Sequence, residues 1–210
     1  MAHDKDDRKR PHLRLVVDNV EKRNSRPAVG DELLVPIEEL VARRDELRPM
    51  FFRDMERRHA KAYESIERFL AGRGWPYGFD PHHGPLLVIP AGAVCQEAVE
   101  PGSAYQDEIL VYVAEDAEGE GLCLSLEMIL PFYSEDEAVM EDALLFSPVF
   151  QYGTLFLEEN RQDGLLDLIY RLGFPIYPPA LTVRVLNRLF AIAAFELKET
   201  LRSLAEHAEG

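Results

Sequence analysis

From Pro49 onward the apolar residues switch repeatedly between helical spacing and strand-like alternation, and the order of those switches most narrows the folds open to this chain. Phe52, Met55, His59, Ala62, Tyr63, Ile66, Phe69 and Leu70 recur at three and four residues, as one stripe of a helix does, and Gly72 and Gly74 end it. Three aliphatic runs follow, Leu86 to Ile89, Ile109 to Ala114 and Leu122 to Leu130, separated by Gly, Pro and acid clusters. In the third run Leu122, Leu124, Leu126, Met128 and Leu130 alternate with Cys123, Ser125 and Glu127, so one sheet face packs inward and the other is at least partly wet.

Ser134-Glu-Asp-Glu137 has the form of a capping box and predicts a helix from Glu135 to about Phe146, ended by Pro148. Gly153 to Glu158 and Leu165 to Leu172 predict a hairpin across the polar turn from Glu159 to Gly164. Pro178 and Pro179 open a last helix whose Leu181, Val185, Leu189, Ile192, Leu197, Leu201 and Leu204 form one apolar face. Its other side carries Arg184, Arg188, Glu196, Lys198 and Glu199, the pattern of a solvated face. The expected class is therefore α+β: a two-layer α-β(3)-α-β(2)-α arrangement, with an antiparallel sheet and helices packed on one face.

At 210 residues and 47% hydrophobic, the chain can bury one good core. The break in periodicity before Pro49 predicts a single domain over residues 49–206, preceded by an arm over 1–48 that is largely disordered or loosely attached. Within the arm, Pro36 opens a short helix with Leu40, Val41 and Leu47 as its apolar side. Trp75, Tyr77 and Phe79, alternating with Pro76 and Gly78, form either an aromatic contact surface or the closure of the core where the first helix ends.

The net charge of -15 is unevenly placed: residues 1–75 hold 17 Lys+Arg against 15 Asp+Glu, and residues 76–210 hold 6 against 23. So acidic a domain repels phosphate backbones and anionic headgroups, and neither nucleic acid nor membrane is an expected partner for it. Binding to nucleic acid or acidic lipid stays open only for the arm, through Arg8, Lys9, Arg10, Arg14, Lys22, Arg23 and Arg26. Cys95 and Cys123 are too few for a disulfide framework and are either two reduced thiols or one bridge. The first residues show no apolar signal segment, and no run reaches the roughly 18 apolar residues of a bilayer span, so a soluble cytoplasmic protein is expected.

The order helix, three strands, helix, two strands, helix resembles the two-layer fold of the type III secretion chaperones and the related YbjN family. The element order covers roughly residues 52–205. The closest stretch runs from Phe150-Gln-Tyr-Gly-Thr-Leu-Phe-Leu-Glu-Glu159 through Gly164-Leu-Leu-Asp-Leu-Ile-Tyr-Arg-Leu-Gly-Phe-Pro175 into the long last helix. The resemblance implies a small acidic protein, commonly dimeric, that binds another polypeptide and performs no chemistry.

No segment carries a catalytic fingerprint. Asp80, His82 and His83 are the best metal or acid/base candidates, but adjacent histidines on extended backbone diverge, and no third His or Cys nearby completes a tetrahedral set. The acidic stretch Glu115 to Glu120 lacks the alternating ligands of a calcium loop. Ser134 has no accompanying His and is accounted for as a cap.

Taken together, these features lead to the expectation of a non-enzymatic protein-binding module of chaperone or adaptor type, an acidic cytoplasmic homodimer with no cofactor and a protein partner. The alternative is a metal-dependent enzyme or sensor using the loop of Asp80, His82 and His83. Val139, Met140, Leu144, Leu145, Phe146 and Phe150 are the expected dimer or partner interface, because they offer more apolar surface than one small sheet obviously covers.

Overall fold

The computed structural model describes residues 14–15, 35–80, 85–95, 108–115, 121–134, 136–145, 150, 152–159, 166–176 and 181–208. The elements begin with β1 (Arg14–Leu15), α1 (Ile37–Ala42), α2 (Arg44–Phe52), α3 (Arg57–Arg73), β2 (Gly78–Asp80), β3 (Leu86–Pro90) and α4 (Ala91–Val94). They continue with β4 (Glu108–Glu115), β5 (Leu122–Ile129), β6 (Phe132–Tyr133), α5 (Glu137–Leu145), β7 (Gly153–Glu159), β8 (Leu166–Ile176) and α6 (Val183–Ala208). The class is α+β, and the main sheet is antiparallel throughout, in the order β2-β3-β4-β5-β8-β7. A separate two-stranded pair joins β1 to β6.

Strand alternation produces one apolar row across the whole sheet. Phe79, Leu87, Val111, Leu126 and Leu172 stand opposite one another in turn, each at most 2% exposed, and the row ends at Gly153. Over this face lie α3, with Ile66 and Leu70 buried, and α6, with Leu186, Phe190 and Leu197 buried. The two helices meet where Phe69 stacks on Phe190 at 5.3 Å between ring centroids. The adjacent row faces the other way and reads Gly78, Val88, Leu110, Glu127, Arg171 and Thr154, apolar at the β2 side and polar at the β7 side.

The structure departs from the sequence expectation in four places. First, the helix expected from Phe52 breaks at Arg53 to Glu56 into α2 and α3. Phe51 and Tyr63 would lie about 18 Å apart along one continuous helix. The break brings their rings to 4.9 Å and puts Phe51 at 4.7 Å from Phe79. Second, Ile37, Leu40 and Leu47 are buried in the common core, so a division at Pro49 falls inside a helix that packs on the sheet. Third, residues Gly78–Asp80 form a sixth strand, with Phe79 buried within it and Tyr77 buried just before it; here the aromatic run closes the core. Fourth, α5 starts at Glu137 because Asp136 receives the amide of Ala138 at 3.0 Å, while among the described residues Ser134 accepts the amide of Asp136.

Pro178 and Pro179 lie outside the described residues. Thr182 caps α6, its carbonyl accepting from the Leu186 amide at 3.0 Å and its hydroxyl from the Val185 amide at 3.3 Å. Strand β8 runs past the end of β7, so Pro175 sits where only β5 needs a partner. Cys95 and Cys123 are both free thiols, and burial pushes the Cys95 thiol up to about 12.

Candidate functional site

Asp80, at the end of β2, is buried; His82 and His83 lie outside the described residues, as does Phe146. Among the described residues, no group of three or more His, Cys, Asp or Glu could hold a metal ion. The residues expected to form one interface patch are divided by the packing of α5 on β7 and β8. Met140 is fully buried, Val139 and Leu144 are half-buried against the core, and Phe150 packs edge-on to Tyr170 at 5.7 Å. Leu145 alone of the described members is strongly exposed, at 79%.

Where the apolar row ends at Gly153, a buried carboxylate takes over. Glu196 of α6 accepts the amide of Tyr152 at 3.1 Å, the amide of Gly153 at 3.0 Å and the hydroxyl of Tyr170 at 2.7 Å. Three donors on one carboxylate tie the first residues of β7 to α6 and offset the desolvation of a charge that has little water. A Cβ at residue 153 would lie 2.5 Å from the Tyr170 ring and 2.6 Å from Glu196 Oε2, so glycine is the residue the contact demands. Burial first, and then the Glu196 carboxylate, hold the Tyr170 hydroxyl well above the usual phenol range. This is a structural clamp, and it corrects the reading of Glu196 as part of a solvated face. The residue follows Ala193 by three and precedes Thr200 by four, which puts it on the core side of α6.

The two edges of the sheet differ. Along β2, α1 and α2 close in, and a Cβ at Gly78 would lie 2.6 Å from that of Leu40. Along β7, seven residues pair with β8 on one side and with no strand on the other, among the described residues. On the face away from α3 and α6, a ladder of side chains runs towards this edge. Tyr112 donates to Glu127 at 3.0 Å, Arg171 donates to the same carboxylate oxygen at 2.7 Å, and the Arg171 guanidinium lies over the Phe156 ring at 4.4 Å.

A groove of about 610 Å³ lies between α3 and the ends of β5 and β8. Its lining includes Arg57, Arg58, Lys61 and Arg68 of α3, with Leu122, Ile176 and Leu181 on the opposite side. Arg58 is paired with Glu56 at 3.1 Å and with Glu115. Arg57, Lys61 and Arg68 are exposed and make no ion pair among the described residues. Residue-by-residue reading missed this cluster because each cation by itself looks like the polar side of an amphipathic helix. The recoverable signal is their spacing at four and eleven residues in a chain of charge -15.

No protein-family model matches the chain, and no curated protein matches it. Among solved structures, the chain is similar to a crystal structure of YbjN from E. coli, described as a candidate transcription regulator. The two are 12% identical, the match covers 68% of this chain and 91% of that one, and the TM-score is 0.45. A likeness of that size says nothing about function. No helix among the described residues is long and apolar enough to cross a membrane.

Proposed function

We propose that the chain is a non-enzymatic, cytoplasmic protein-binding module of adaptor or chaperone type, working as a homodimer joined along β7. The observation that carries this reading is the inequality of the sheet edges. One edge is covered by α1 and α2, whereas β7 leaves a row of backbone donors and acceptors without a strand partner among the described residues. Such a row is a template for a further strand.

The sequence of β7 suits a second copy. With a twofold axis at Phe156, Leu155 stands opposite the partner's Leu157, while Glu158 and Glu159 stand opposite the partner's Thr154 and the partner's Gly153. No carboxylate then faces another directly. Exposed Leu145 of α5, which packs on β7 from its own copy, adds apolar surface near the joint.

Light scattering coupled to gel filtration tests the assembly. A dimer mass at micromolar concentration is expected, falling to the monomer mass in Phe156→Asp, which places two carboxylates at the axis. Higher ionic strength should favour the dimer, because it screens repulsion between two copies of charge -15. A monomeric wild type, or a dimer that Phe156→Asp leaves intact, would sink the assignment.

A further inference from the structure

We propose that the α3 groove binds a short, extended, acidic segment of a protein partner. The proposal rests on the protein-binding reading above, but not on the dimer or on β7. The groove lies at the far end of β8 from the turn that joins β8 to β7, where Ile176 pairs with Leu122.

The argument begins with charge. In a chain of net charge -15, the lining holds four cations of α3 and one acid, Glu64. Arg58 is already paired with Glu56 and Glu115. Arg57, Lys61 and Arg68 remain, exposed and without an ion pair among the described residues. Unpaired cations beside a groove favour an anionic occupant, and Arg suits carboxylates through its two-pronged geometry.

Spacing then selects the shape of that occupant. Along the helix axis Lys61 lies about 6 Å from Arg57, and Arg68 lies about 10 Å beyond Lys61, at 1.5 Å per residue. Around the axis all three fall within about 40° of one another. On an extended chain, side chains two residues apart lie on the same side and are roughly 6.8 Å apart, and those four apart roughly 13.6 Å. Carboxylates in the order Glu-x-Glu-x-Glu therefore share one side of the strand and meet Arg57, Lys61 and Arg68 in turn, the long Arg68 side chain spanning the remaining roughly 3 Å. Glu64 falls in the gap between Lys61 and Arg68, level with the residue between the second and third acids, whose side chain points away from the helix. Leu181, half-buried on the other side, offers an apolar contact to a residue between the acids.

Charge also separates a peptide from a nucleic acid strand, whose phosphates could meet the same cations. A nucleic acid strand continues as a polyanion beyond the roughly 17 Å that the cations span. It would then run into the field of a chain of net charge -15. A peptide with three acids ends its charge inside the groove.

Fluorescence anisotropy with a labelled octapeptide containing Glu-x-Glu-x-Glu and alanine elsewhere tests the assignment. Its Lys-for-Glu counterpart and an eight-nucleotide oligothymidylate serve as competitors. The acidic peptide is expected to bind the full chain and the basic one to fail. Arg57→Glu combined with Lys61→Glu should weaken binding at least tenfold, and Arg68→Glu alone several-fold. Binding should fall as ionic strength rises, the opposite of the dimer. Unchanged circular dichroism and an unchanged dimer mass in these variants show that fold and assembly persist. Peptide binding that the charge reversals do not weaken, absence of binding by wild type, or oligothymidylate displacing the peptide would each overturn the proposal. If the dimer forms normally while the peptide fails to bind, only the groove assignment falls.

Discussion

The row Gly78, Val88, Leu110, Glu127, Arg171, Thr154 crosses the sheet from one edge to the other, and its two ends are finished by opposite means. At the β2 end the side chains are apolar or absent, Val88 is 2% exposed, and Leu40 of α1 presses against Gly78. At the β7 end the neighbours are Glu127 and Arg171, held by their own ion pair at 2.7 Å, and among the described residues no helix takes the place that α1 occupies at Gly78. An edge can thus be closed by burying it or kept presentable by polar side chains that stay paired. The covered edge depends on hydrophobic burial by residues before Pro49; the open one depends on a single carboxylate that anchors its strand.

The largest expected effect tests the covered edge. A chain that starts at Pro49 loses Ile37, Leu40 and Leu47 from the core. At about 1.5–3 kcal/mol for each buried aliphatic side chain, the loss is roughly 5–9 kcal/mol, comparable to the whole stability of a domain. That chain should be unfolded by circular dichroism, whereas a chain starting at Val35 should melt cooperatively. If both behave alike, α1 and α2 are not part of the cooperative unit.

Next comes the anchor of the open edge. Glu196→Ala leaves the amides of Tyr152 and Gly153 and the Tyr170 hydroxyl without their acceptor. The expected cost is about 3–5 kcal/mol in urea denaturation, since hydrogen bonds to a charged group are worth about 1.5–3 kcal/mol each and several are lost together. Hydrogen exchange at Tyr152 and Gly153 should quicken more than at any β3 amide.

On the β2 side, the Tyr63 hydroxyl accepts the Val113 amide at 2.9 Å and donates to the Pro85 carbonyl, continuing the ladder past the last paired residues of β3 and β4. Tyr63→Phe should cost about 1–3 kcal/mol, because the Val113 amide is left buried and unsatisfied. Burial raises the Tyr63 hydroxyl from 10.0 to about 12, with the Val113 hydrogen bond opposing the shift. The folded state therefore keeps a proton that the unfolded state releases. This contribution is fully present below pH 10 and is lost as pH rises through about 12. Cys95, raised from 9.0 to about 12, adds a loss of the same sign beginning near pH 9. Alkaline unfolding followed by fluorescence should be shallower in Tyr63→Phe than in wild type.

Gly78→Ala should cost about 1–3 kcal/mol, since the new Cβ must displace Leu40, an overpacking that the backbone of α1 cannot avoid. The smallest effect expected is that of Arg57→Ala. An exposed cation without an ion pair among the described residues should leave stability within about 0.5 kcal/mol by chemical denaturation while weakening the binding of acidic peptide.

Much of the sheet was legible in the residues themselves. The alternation of Leu122 to Leu130 places β5, the polar turn before Gly164 places the β7–β8 hairpin, and the long apolar face after Leu181 places α6. These signals are local. A period of 2 or 3.6 is written within a few residues, and each segment must bury one face whatever lies elsewhere.

What tertiary structure alone decided are the features whose partners are far away in sequence. Three residues of β2 make a strand only because β3 pairs with them. The break between α2 and α3 exists so that Phe51 can reach Tyr63 and Phe79. Glu196 looks solvent-bound by its residue type, and its charge is accommodated on the core side only because Tyr152 and Gly153, 44 and 43 residues earlier, bring their amides to it. Exposure of the β7 edge and the gathering of Arg57, Lys61 and Arg68 beside Leu181 are likewise properties of an assembled surface. Local sequence sets which face a residue prefers; only the closing of the chain on itself determines what waits on that face, because the free energy of a buried charge or a bare strand edge is set by its neighbours in space.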